Sequence, residues 1–126
     1  MKRILLALGL VALAALSAAC STAAAKPSAP SGPLADGPTV VAKDMKFQTT
    51  SVEVKADAAF TLHVDNQDSA PHNVAIFTDT SAATAVSVGD IVTSTKADQA
   101  VPALKAGTYF FRCDVHHDMT GTIVAK

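Results

Sequence analysis

One stretch near the C-terminal end constrains this chain more than any other: Cys113-Asp114-Val115-His116-His117-Asp118-Met119. Within seven positions it offers a thiol, two imidazoles and a thioether, all soft or borderline metal donors. A strand-like run, Tyr109-Phe110-Phe111-Arg112, leads in, and Gly121-Thr122-Ile123-Val124 leads out. The stretch therefore predicts a turn between two strands, its side chains gathered at one end of a sheet. One thiolate, two imidazoles and a weak axial thioether make the donor set of a mononuclear copper site. One histidine of that set has to come from elsewhere in the chain.

Taken singly these residues carry little. A free cysteine on an apolar strand is ordinarily a small buried hydrophobe, and a lone methionine ordinarily packs. The combination reverses that reading, because an upstream imidazole is also on offer. His72 follows Pro71, which stiffens the backbone before it, and the run from His72 to Phe77 predicts a strand or the entry to one. His63 shares parity with Thr61 and Asp65 and not with Phe60, Leu62 and Val64, so it is expected to face solvent.

The 126 residues suffice for one domain. The formal charge is −1 overall, and eight basic against eleven acidic side chains, −3, once Lys2 and Arg3 are set aside. Neither value nor any basic cluster suits a nucleic-acid binder. Residues 1–20 read as an export signal: a basic start at Lys2-Arg3, then an apolar run from Ile4 to Leu16, short of the roughly 20 residues that span a bilayer. Leu16-Ser17-Ala18-Ala19-Cys20 resembles a bacterial lipobox, which implies that Cys20 is lipidated and anchors the chain to a membrane. Ser17 departs from the large aliphatic residue usual there, and cleavage near Ala23-Ala24-Ala25 is the alternative. With Cys20 lipidated, Cys113 is a single thiol in an oxidising compartment, and metal ligation accounts for it better than a disulfide.

Residues 21–38 are rich in Ala, Pro and Ser and read as a linker. From Thr39 to Lys126 short alternating runs are separated by turn residues. Thr39–Ala42 with Lys46-Phe47 predicts a first strand, bulged at Asp44; Val52 and Val54, then Phe60, Leu62 and Val64, predict the next two. The Ala-, Ser- and Thr-rich segment 78–89 reads as a loop with one helical turn, and Ile91-Val92-Thr93 and Ala100-Val101 as edge strands, Pro102 keeping the second from a central place. About eight short strands in about 90 residues make an all-β, Greek-key β-sandwich the expected fold.

Asn66-Gln67-Asp68-Ser69-Ala70-Pro71-His72-Asn73-Val74, taken with Gly107-Thr108-Tyr109-Phe110-Phe111-Arg112-Cys113 and the loop to Met119, resembles the cupredoxins, small blue copper proteins. The short C-x-x-H-x-x-M loop is closer to amicyanin than to plastocyanin. The resemblance covers 39–126 and implies that His72, Cys113, His116 and Met119 hold one Cu(I)/Cu(II) ion. It implies that Asn73 ties the two ligand loops together beside them. His117 stands where many relatives have proline, and is expected at the rim. Asp114 and Asp118 are expected as solvated charges and Met45 as packing, with a place near the copper end as the alternative. Tyr109 is expected either as a core residue or as a tyrosine corner, its hydroxyl bonded back to the preceding turn.

The function implied is an exported one-electron carrier outside the cytoplasmic membrane, monomeric, meeting redox partners transiently through an apolar ring around His116 to which Ala70, Pro71 and Met119 are assigned. Copper storage or delivery is the alternative, weakened by the lack of a methionine cluster beyond Met45 and Met119. An enzyme is not expected: a second copper centre would need more histidines than His63 and His117, and a dinuclear site a second neighbouring cysteine.

Overall fold

The structure, a computed structural model, describes residues 34–126. The export signal at 1–20, Cys20 and the linker up to residue 33 lie outside the described residues. Nine strands follow one another: β1 (Ala35–Lys43), β2 (Lys46–Phe47), β3 (Ser51–Val54), β4 (Phe60–Asn66), β5 (Ala75–Phe77), β6 (Ala85–Val88), β7 (Lys96–Val101), β8 (Gly107–Arg112) and β9 (Thr120–Ala125). They form two sheets, ordered β2-β1-β4-β7 and β3-β9-β8-β5-β6. The β1·β4 and β3·β9 pairs are parallel and the others antiparallel. This is a β-sandwich of the Greek-key type, with no helix among the described residues.

Alternation builds the core. Along β4 every second residue, Phe60, Leu62, Val64 and Asn66, is buried, as period-two geometry requires of a strand with one face inward. From the opposite sheet Ile76, Phe111 and Ile123 complete the interior, all fully buried. Each such side chain contributes about 1.5–3 kcal/mol on leaving water. Phe111 fits because Gly121 lies across from it: a Cβ there would collide with the Phe111 ring. The same parity carries Cys113, two residues on, into the interior at one end of the sandwich.

The structure departs from the sequence expectations in four places. The first strand begins at Ala35, inside the stretch read as linker, because Ala35 and Asp36 pair with Phe60 and Thr61 beyond a break in register. Asp44 is not a bulge. Asp44 and Met45 form a two-residue hairpin between β1 and β2, both with positive φ (54° and 58°). Segment 78–89 holds no helical turn but contains β6, an edge strand in which only Ser87 is buried. Finally, Ile91-Val92-Thr93 is no strand; Val92 makes a single bridge to His72.

Candidate metal centre

Two chain segments meet at the end of the sandwich. The first, between β4 and β5, carries His72. Its backbone is fixed by reciprocal bonds with Val92, His72 N–H to Val92 C=O at 3.0 Å and Val92 N–H to His72 C=O at 2.9 Å. Buried Asn66 braces the same segment, donating through Nδ2 to Ala70 C=O (2.9 Å) and Val92 C=O (2.7 Å) and accepting from Asp68 N–H (2.9 Å). The second, between β8 and β9, carries Cys113, His116 and Met119. It closes on itself: Cys113 N–H donates to Met119 C=O and Met119 N–H to His116 C=O, each at 3.0 Å.

Asn73 joins the two. Its Oδ1 accepts from Asp114 N–H at 2.8 Å, while Nδ2 donates to Asp114 Oδ2 (3.0 Å) and Gly89 C=O (3.2 Å). Asp114 is thus a bonded partner and not the free solvated charge its place in the loop suggested.

Three donor atoms converge. Cys113 Sγ lies 3.7 Å from His72 Nδ1 and 4.0 Å from His116 Nδ1, and the two nitrogens are 3.2 Å apart. A point equidistant from all three sits about 2.1 Å from each, close to the roughly 2.0–2.3 Å that imidazole nitrogen and thiolate sulfur take to a transition ion. His72 turns Nε2 toward Asp68 Oδ2 at 3.0 Å. Only an N–H at Nε2 can donate there, and in the neutral ring this leaves Nδ1 with a bare lone pair on the side of the cluster. A nitrogen and a sulfur donor gathered out of solvent, at residues 0% exposed, suit a cation. Thiolate and imidazole donors suit copper and zinc alike, and the cluster is positioned to bind one copper ion.

The remaining expectations sort themselves. Met119 is 3% exposed, so it lies beneath the surface and not in a solvent-facing ring; it directly precedes β9, whose parity turns it inward. His117 and Asp118 are exposed. Tyr109 donates its hydroxyl to Lys105 C=O at 3.1 Å, four residues back in the preceding turn. His63 faces outward from β4, but it is engaged: Nε2 meets Asp36 Oδ1 at 2.8 Å and Nδ1 meets Asp98 Oδ1 at 2.7 Å. The Asp36 carboxylate first, then Asp98, hold its pKa above the ordinary imidazole value. Sequence reasoning missed Asp68. The Met45 amide, with further help from the Asp44 amide and His72, holds its carboxyl below the usual range despite partial burial. An aspartate in a turn cluster gives no sequence signal of such a role.

A family model described as a cupredoxin-like domain matches residues 8–125. The chain belongs to the cupredoxin-like family. Among solved structures, this cupredoxin-like chain is similar to amicyanin from Paracoccus versutus, with 29% identity over 80% of this chain and 92% of the other, at a TM-score of 0.56. Auracyanin B superposes with a TM-score of 0.69 at 17% identity, covering 78% of this chain and 94% of that one. The reduced auracyanin from Roseiflexus castenholzii gives 0.64 at 12%, covering 75% and 99%; at such identities the two auracyanins speak to the fold. Comparison with curated protein sequences gave no match.

Proposed function

We propose that this chain is a one-electron carrier in which His72 Nδ1, His116 Nδ1 and Cys113 Sγ would hold copper, with Met119 as a further, weaker thioether donor. The observation that carries the reading is the convergence of one buried thiol and two imidazole nitrogens from two loops braced against each other. Bound copper supplies a single electron that it takes up and gives back. The chain's own part is to keep the donors still between the two states, through the Val92 bridge, the Asn73 link and the closed Cys113–Met119 loop, so that little reorganises.

His116 is the half-exposed member of the set, and it is the natural port. Exposed apolar side chains stand around this end: Val115 precedes His116, Ile91 precedes the bridge to His72, and Met45 follows the first residue of the turn bonded to Asp68. Such a surface suits a small, short-lived contact with a redox partner, and a monomer needs no more. The N-terminal features support export: the basic and apolar run of residues 1–20 would place the domain outside the cytoplasmic membrane, with Cys20 as its lipid anchor.

The test is the visible spectrum of the full chain titrated with Cu(II), beside Cys113→Ser. An intense band that bleaches on reduction and is wholly lost in the variant is the expected result. A colourless copper complex would end the carrier reading. A coloured one that exchanges electrons slowly and yields copper readily to a chelator would put delivery in its place.

A further inference from the structure

The Asp68 carboxylate connects two parts of the molecule that are far apart in sequence. Its Oδ1 accepts from Asp44 N–H at 2.7 Å and its Oδ2 from Met45 N–H at 3.0 Å, while Oδ2 also lies 3.0 Å from His72 Nε2. Asp44 and Met45 both stand in the left-handed region, where a two-residue hairpin normally calls for Asn-Gly or Asp-Gly because a Cβ is disfavoured. Methionine has no local means of easing that conformation. Two successive turn amides pointing the same way form a seat for an anion, and here a carboxylate of the same chain occupies it. Asp68 is fixed from behind as well: Asn66 Oδ1 holds its N–H, and its C=O accepts both the N–H (3.0 Å) and the hydroxyl (2.9 Å) of Ser94.

We propose that Asp68 is a positioning residue of the copper site, setting the tautomer and ring plane of His72 from the seat formed by the Asp44–Met45 turn. The inference rests on the copper reading above. A carboxylate on the outer nitrogen makes the imidazole a stronger donor, and such contacts are worth about 10–100-fold in metal affinity when removed. Stronger donation favours Cu(II) over Cu(I), because the more highly charged ion gains more from it. Asp68 therefore lowers the reduction potential as well as holding the ring.

Asp68→Asn keeps a side-chain oxygen of similar size for the turn but removes the negative charge. Its Cu(II) affinity is expected to fall about 10–100-fold. Its preference for Cu(II) over Cu(I) should fall about tenfold, equivalent to roughly 59 mV for one electron, with Asp68→Glu recovering part of the shift. A variant that loses thermal stability yet keeps the wild-type potential would reduce Asp68 to a support for the turn and overturn the proposal. Nitrogen-15 correlation spectra of the copper-free wild-type chain supply a measurement that needs neither a variant nor metal. They should place the His72 proton on Nε2; a proton on Nδ1, or rapid exchange between the two, sinks the idea. If the wild-type copper complex shows no thiolate band, the carrier reading fails, while the tautomer still decides the role of Asp68.

Discussion

The two histidines of the site live in different mechanical surroundings. His72 is fully buried, bonded through its backbone to Val92 and through its outer nitrogen to Asp68, with Asn66 bracing the segment around it. His116 rides on the five residues between the bonded Cys113 and Met119 and is only half-buried. One ligand is clamped by the sandwich, the other is presented by a loop. The difference separates two demands on such a centre: geometry is kept on the buried side, and access is given on the open one.

Replacement of each histidine by glycine is the strongest way to break the contrast. His116→Gly should lose the thiolate–copper band and regain it when free imidazole is added, because the vacated space opens to solvent. His72→Gly should not be rescued, since its space is sealed. Equal rescue of both would mean that the two sides do not differ in access. Next in size is Asn66→Ala. It leaves Ala70 C=O and Asp68 N–H short of a partner in a part-buried setting, Val92 C=O keeping only the His72 N–H, and should destabilise the copper-free chain by about 1–3 kcal/mol in urea unfolding. The loop carrying His116 has no bond to Asn66, so a stability loss without blurring of the His72 resonances would contradict the clamp.

The smallest effect belongs to His63, on the outer face of the clamped sheet. Asp36 and then Asp98 raise its pKa, so the folded chain holds this proton more tightly than an unfolded one. The contribution is complete below about pH 6.5, the unfolded value, and is lost as pH rises through the raised folded value. Asp65 and Lys96 lie in the same shallow hollow and pair with each other at 3.4 Å. Both carboxylates that meet His63 are mostly in water, 92% and 73% exposed, so salt should screen the effect. His63→Gln is expected to flatten this part of the stability profile while leaving the copper spectrum unchanged.

What the sequence made legible, and what it did not, follows the same division. Cys113, His116 and Met119 could be seen as one unit because their donors crowd a single turn, and His72 stood out as an imidazole between proline and a strand. The outward face of His63 followed from strand parity. Its partners did not, since Asp36 and Asp98 are 27 and 35 residues away and become neighbours only when β1 and β7 flank β4. β6 was illegible because Ala85–Val88 buries a serine and no large apolar residue. The Asp44–Met45 hairpin was illegible because it lacks glycine and asparagine, its usual signals; the compensating group, Asp68, is more than twenty residues downstream.

The parallel pairing of β1 with β4 has a directional consequence. Ala35 lies beside Phe60 and Ala42 beside Asn66, so β1 runs toward the metal end and finishes at the turn that seats Asp68. Nine residues of strand at about 3.3 Å each cover roughly 25–30 Å. Whatever precedes Ala35 therefore joins the domain at the pole farthest from the copper. If that preceding segment fastens the chain to a surface, the tether leaves from one pole of the domain and His116 lies at the other, so attachment and access do not compete for the same face.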